Sequence, residues 1–233
     1  MIDYQAILNT INSEAKTSND RGKVASYIPE LSKVNGGKFG IHLINSEKQE
    51  FSAGDSCELF SIQSISKVLS LSLAFSLIGD ELWSRVDVEP SGDPFNHMSL
   101  LELENGIPRN PLINAGAIVI ADVLISNLKN PKEDFLNYVR KITGDYSINF
   151  DLTIANSEKK SGFRNYAAAN LLKSYKNLQN DVDIVLDFYF HQCAIQMSCQ
   201  QLTKAFFMFM NGGKCMQDMT YLTKSQIKRI NAL

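Results

Sequence analysis

Gln63-Ser64-Ile65-Ser66-Lys67 sets a hydroxyl and an amine three positions apart. It leads directly into Val68-Leu69-Ser70-Leu71-Ser72-Leu73-Ala74-Phe75, whose apolar character predicts a buried helix. Positions i and i+3 share a helix face, so the Lys67 amine can approach the Ser64 hydroxyl within one turn. An amine withdrawn from water loses solvation, its pKa falls, and its neutral form can accept the serine proton. The implied chemistry is nucleophilic attack by a serine activated by a lysine base.

Spacing alone does not select this pair. Ser-x-x-Lys also begins at Ser13, Ser126, Ser157 and Ser225. Ser13, Ser157 and Ser225 lie in charged, solvated-looking segments, and Ser126 sits at the polar end of an apolar run. Only Lys67 opens a long apolar helix, where a charge without a purpose would be costly.

The elements that must position the pair come from a chain of 233 residues, 44% hydrophobic and 21% charged, enough to bury a substantial core as one domain. A net charge of -2 without a long basic run speaks against nucleic acid as the main partner. The start, Met1-Ile2-Asp3-Tyr4-Gln5, is polar and amphipathic and does not read as a secretory signal. Polar residues interrupt every apolar run, so no membrane span is expected, and a cytoplasmic location follows as the default. Cys57, Cys193, Cys199 and Cys215 lack Cys-x-x-Cys spacing, and His42, His97 and His191 are scattered. Neither a metal site nor a cofactor is expected.

Amphipathic helices are predicted near residues 2–16 and 21–33, followed by a turn at Asn35-Gly36-Gly37. Phe39 to Ile44 and Gln49 to Ala53 read as a hairpin. From Ser64 to about Cys215 the reading is helix and loop, with helices near 112–127, 132–143, 163–176, 181–195 and 198–211. Asn211-Gly212-Gly213 is a stop signal, and a last helix starts near Thr223. Pro90, Pro94, Pro108 and Pro111 mark a long loop from Val86 to Pro111, a type of loop that often serves function. No third strand is evident, although two strands alone do not make a stable sheet.

Six ordered segments resemble the serine-dependent glutaminases, which share the fold of β-lactamases and penicillin-binding proteins. They are Tyr27-Ile28-Pro29-Glu30-Leu31; Phe60-Ser61-Ile62-Gln63-Ser64-Ile65-Ser66-Lys67; Glu89-Pro90-Ser91-Gly92 with Phe95-Asn96; and Pro108-Arg109-Asn110-Pro111-Leu112-Ile113-Asn114-Ala115-Gly116-Ala117-Ile118. Ser157-Glu158 with Ser161-Gly162, Arg164 and Asn165, and then Leu186-Asp187-Phe188-Tyr189-Phe190, complete the set. The expected fold class is α/β (α+β): a large helical lobe beside an antiparallel sheet.

The resemblance implies that Ser64 attacks the side-chain amide of L-glutamine, that Lys67 takes the serine proton, and that Tyr189 assists proton transfer. It implies that Glu158 meets the substrate α-ammonium, while Asn114, Asn165, Tyr189 and Tyr27 bind the carboxylate and order the pocket, with Gln63 at its border. It also implies a homodimer or homotetramer. Read alone, Asn114 is a cap or turn residue, Glu158 belongs to the solvated charge run Ser157-Glu158-Lys159-Lys160, and Tyr189 is core. His42, His191, Trp83, Met208 and Met210 read as packing residues.

Family members continue past the point where this sequence reaches Asn231-Ala232-Leu233, adding a second active-site tyrosine, a Lys-Ser-Gly-Val-like strand, further strands and a closing helix. The expectation is one domain over 1–233 lacking those strands, with a helical lobe at about 56–195 and residues 1–55 in the sheet lobe. Loss of an oxyanion donor typically slows such chemistry by about 10²–10³. A non-catalytic glutaminase-like subunit is therefore one alternative, and a penicillin-interacting serine enzyme is another. Glu158 disfavours the latter, because β-lactams lack glutamine's α-ammonium.

Overall fold

The computed structural model describes residues 2–18, 22–92 and 94–233. Helix α1 (Tyr4–Thr17), capped by the Asp3 carboxylate on the Ala6 N–H, lies against an antiparallel hairpin of β1 (Gly40–Ile44) and β2 (Glu50–Gly54). The hairpin register pairs Gly40 with Gly54 and Leu43 with Phe51. Tyr4 meets Phe51 with ring centroids 5.4 Å apart. The predicted hairpin is present, and helices rather than further strands pack on it among the described residues: α1 on β2, and α9 (Cys199–Met210) on β1.

Two helices form the centre, α2 (Ser66–Ile78) and α4 (Asn114–Asn127). Both are apolar all round because both are surrounded; Leu69 through Phe75 and Ala115 through Leu124 are buried without a break. α5 (Pro131–Thr143) covers them with a one-sided stripe of Phe135, Leu136, Tyr138, Val139 and Ile142. Its ends follow the helix dipole, with Pro131 and two acids in the first turn, Arg140 and Lys141 in the last, and a left-handed Gly144 as stop. α7 (Phe163–Ser174) and α8 (Val182–Cys193) pack on α4, and α10 (Lys224–Asn231) on α2.

Several expectations need correction. The helix predicted over 21–33 does not form over residues 22–30; only Leu31–Lys33 makes a 3-10 turn, and residue 21 lies outside the described residues. Pro29 lacks an amide hydrogen and would clash inside a helix, while Val24, Tyr27 and Val34 are exposed and give no buried stripe. No third strand was evident in the sequence, yet three short ones form, two of them inside the segment after Ser64 read as helix and loop. β3 (Phe60–Ser61), β4 (Asn149–Phe150) and β5 (Ile195–Met197) form a second antiparallel sheet in the order β3-β5-β4. They are too short for alternation to show, and are created by long-range pairing. Two further helices were not foreseen: α3 (Ser99–Leu103) in the proline-rich loop, and α6 (Leu152–Ser161). Among the described residues no helix is long and apolar enough to cross a membrane.

Candidate active site

Ser64 is placed by a sharp transition from strand to helix. β3 ends at Ser61, a 3-10 turn covers Gln63–Ile65, and α2 begins at Ser66. The turn requires Gln63 at φ 46°, a region that costs a non-glycine residue about 1–3 kcal/mol and persists where the surroundings enforce it. Gln63 is held there by its amide donating to Ser61 Oγ at 3.2 Å. Ser64 therefore stands exposed just before the α-helix proper, in a turn whose Ile65 N–H donates to the Ile62 carbonyl and whose Ser66 N–H donates to the Gln63 carbonyl.

Lys67 is 2% exposed. Its Nζ donates to the Leu112 carbonyl at 2.9 Å and to Asn114 Oδ1 at 2.7 Å. Burial pulls its pKa down to about 8, partly opposed by Cys193 and Glu158. The lysines of the other four Ser-x-x-Lys pairs, Lys16, Lys129, Lys160 and Lys228, are exposed.

Asn114 is placed by the turn before α4. The Asn110 side chain accepts the Leu112 and Ile113 N–H groups at 3.0 and 3.1 Å. The turn then folds back on Gly116, where an added Cβ would lie 2.0 Å from the Asn110 carbonyl oxygen. A lysine can only donate, so Asn114 must present its oxygen to Lys67 and its NH2 elsewhere. That NH2 donates to Asn165 Oδ1 at 3.0 Å.

Glu158 comes from α6, whose start is fixed by Asp151 accepting the Thr153 and Ile154 N–H groups. Ile154, Ala155 and Glu158 share its inward face, while Lys159 and Lys160 point outward. Glu158 is 7% exposed, its Oε2 has no hydrogen-bond partner within the protein, and burial raises its pKa to about 8 against the opposing pull of Lys67. α8 brings Tyr189, whose hydroxyl burial pushes well above its usual value, with Cys193 and Glu158 adding to the rise. Asp187 joins α6 to α8 behind both groups, pairing with Lys159 at 2.8 Å and with Lys132 of α5. The segment carrying Tyr27 is anchored where Ile28 and Leu31 pack on Ile154, Ala155 and Ala194.

The structure thus brings together the predicted residues. Tyr27, Gln63, Ser64, Asn114, Glu158, Asn165 and Tyr189 line one cleft of about 640 Å³, and Lys67 reaches it through Asn114. Sequence reasoning missed Asn96, Ser161, Arg164 and Cys193 as lining residues. Cys193 is 2% exposed. Its position four residues after Tyr189 on one helix was the available signal.

An exposed serine, a buried lysine of lowered pKa and a buried carboxyl group with a spare oxygen suit attack on an amide whose substrate carries a cation. Residues 22–233 match the family model described as Glutaminase.

The chain belongs to the glutaminase family.

Its reaction is hydrolysis of the side-chain amide of glutamine to glutamate and ammonia. The Christiangramia forsetii protein named Glutaminase is 54% identical over 233 residues, spanning 100% of this chain and 77% of that protein. The solved structure of the probable glutaminase YbaS superposes with a TM-score of 0.91 at 28% identity, covering 99% of this chain and 76% of that one. The structure titled as Mglu in its tris and glutamate form gives a TM-score of 0.90 at 27% identity, covering 100% of this chain and 52% of that one. The fold class is the expected one, mixed α/β and mostly helical with small antiparallel sheets.

Proposed function

We propose that this glutaminase works through a Ser64 γ-glutamyl ester, with Lys67 as the base, on the β-lactamase-like fold. The observation that carries the reading is the hydrogen bonding of Lys67. A neutral amine has two N–H groups and one lone pair. Leu112 and Asn114 take two N–H groups, leaving the lone pair for the Ser64 proton. Ser64 Oγ then bonds to the side-chain carbonyl carbon, and the Ser64 backbone N–H is one donor to the oxyanion. The leaving nitrogen takes a proton from the Lys67 ammonium and departs as ammonia. Tyr189, whose raised pKa keeps its hydroxyl protonated, assists this transfer by donating a hydrogen bond and retains its own proton. Water adds to the ester, Ser64 regains its proton, and glutamate leaves.

Glu158 receives the α-ammonium on its unpartnered oxygen. Because Asn165 Oδ1 is taken by Asn114, the Asn165 amide N–H groups are left for the α-carboxylate, beside Asn114, Tyr189 and Tyr27. Gln63 borders the site and holds Ser64 in place. The glutamate-bound neighbour supports an amino-acid ligand in this cleft. The chain acts as one domain, supported by a core cluster shared by α2, α4, α5 and α8. Assembly as a homodimer or homotetramer is supported by the resemblance and by hairpin edges unpaired among the described residues. A cytoplasmic setting is supported by four free cysteines.

The test is ammonia release from L-glutamine, paired with intact mass after rapid quench. Release that disappears in Ser64→Ala, together with a glutamyl adduct on the wild type alone, is the expected result. Turnover surviving in Ser64→Ala would overturn the mechanism.

A further inference from the structure

The loop entering α3 borders the cleft at Asn96, yet its neighbour does something more specific. The Phe95 ring centroid lies 5.1 Å from Lys67 Nζ. The Phe95 carbonyl accepts the Asn114 N–H at 2.8 Å. The asparagine that holds the lysine therefore also holds the residue whose ring sits over it. Backbone bonds anchor the loop upstream, Asp87 N–H to Pro108 O at 2.8 Å and Glu89 N–H to Arg109 O at 2.7 Å, and the Asn110 amide donates to Glu89 O at 2.8 Å. Phe95 is 59% exposed and lies outside the hydrophobic core clusters. Its ring gains little from burial, so the lysine contact is the more telling feature.

We propose that Phe95 is a positioning residue for the catalytic base: its ring covers the Lys67 amine, keeps bulk water from it, and stabilises the ammonium formed when Lys67 takes the Ser64 proton. This rests on the reading of Lys67 as the base. In that step the Ser64 O–H bond breaks, an Nζ–H bond forms, and positive charge appears under the negative face of the ring. The ring thus acts on Lys67 in two opposite senses. Its apolar body removes water and disfavours the ammonium, whereas its quadrupole favours it. The other titratable groups facing Lys67, Glu158 from α6 and Cys193 from α8, both favour the ammonium and are untouched by changes at Phe95. Leu112 and Asn114 offer neutral oxygens.

Two substitutions separate the effects. Phe95→Leu keeps an apolar cover and removes the quadrupole, so Lys67 should titrate below its wild-type position near 8. Above that titration, where the resting amine is neutral, acylation should slow by about 2- to 30-fold, the range expected for loss of a cation–π contact. Phe95→Ala admits water, so Lys67 should titrate above the wild type. The experiment follows Lys67 by NMR in protein with isotope-enriched lysine side chains, assigned by Lys67→Arg, alongside ammonia release from L-glutamine against pH. Displacement of the titration in opposite directions in the two variants, matched by the limb of the rate profile, supports the proposal. Titration unmoved in both, or moved in the same direction, overturns it. Opposite displacements with an unmoved rate limb refute the base assignment and with it the catalytic half of the proposal, while the ring–lysine contact stands. Phe95→Trp, which strengthens the ring field and keeps the cover, must move Lys67 upward, so the idea remains falsifiable if the alanine variant folds poorly.

Discussion

Glu158→Gln should stabilise the free protein at neutral pH while weakening its hold on glutamine. The carboxyl titrates near 8 in the folded chain against an ordinary value of 4.5. Between those values the folded state keeps a proton that the unfolded state releases, so the stability contributed below pH 4.5 is progressively lost as pH rises toward 8. At pH 7 the loss is 1.36 kcal/mol for each unit above 4.5, about 3 kcal/mol. Glutamine at this position does not titrate, so the variant avoids that loss. Its advantage should be close to zero near pH 4.5 and reach about 3 kcal/mol at pH 7, or roughly 6–12 °C in Tm for a chain of this size. Lys67 works in the other direction only between about 8 and 10.5, so measurements at pH 5, 6 and 7 isolate Glu158. Urea unfolding of both proteins at these pH values gives the difference directly, and calorimetry with L-glutamate gives the affinity. A stability difference that stays constant from pH 5 to 7 would refute the reasoning, because it would mean that the carboxyl is not held neutral by its surroundings. Unchanged affinity would remove Glu158 from ammonium recognition.

Three further outcomes follow from the same geometry. Glutamate binding at pH 6 to 7 should release close to one proton, because the incoming ammonium ionises Glu158; calorimetry in two buffers of different ionisation enthalpy measures it, and heats independent of buffer would contradict it. Gly116→Ala should lower stability by at least about 2 kcal/mol and depress activity, since its Cβ would lie 2.0 Å from the Asn110 carbonyl oxygen beneath Asn114; a wild-type Tm would show that the turn yields freely. Gln63→Gly should relieve the φ of 46° and raise Tm slightly while cutting ammonia release several-fold, and a variant of full activity would detach the strained turn from Ser64 placement.

Much of this site was readable in the sequence. Ser64 and Lys67 are neighbours on one local turn, and the apolar run behind them announces burial. The hairpin, α5, α8 and α9 each carry local signals of alternation, stripe or cap, and α4 is announced by its unbroken apolar run. Glu158 was not readable from its neighbourhood, because Lys159 and Lys160 dominate the local charge. The relation that buries it is its spacing from Ile154 on the inward face of α6. The contact between Phe95 and Lys67 joins a loop to a helix through Asn114, and no local pattern encodes it. Strands β3, β4 and β5 are equally silent, since each exists only by pairing with a segment distant in sequence.

The failures of local rules gather in one place. Gln63 adopts a backbone conformation that its side chain disfavours, Lys67 is an amine without water, and Glu158 is a carboxyl with an oxygen left unpaired. Each of these costs stability by itself, and a chain selected for stability alone would lose all three. They are tolerated because α2 and α4, apolar on every side, supply a core that does not depend on the cleft. On the mechanism proposed above, they persist together because each prepares a different part of one reaction. The strained turn aims the nucleophile, the dry amine is ready to take its proton, and the unpaired carboxyl oxygen waits for a cation that only the substrate brings. A substrate lacking that cation leaves Glu158 neutral and the oxygen unpaired. On that mechanism, discrimination for an α-amino acid over a simple amide is stored in the free protein as an unfavourable burial that binding relieves.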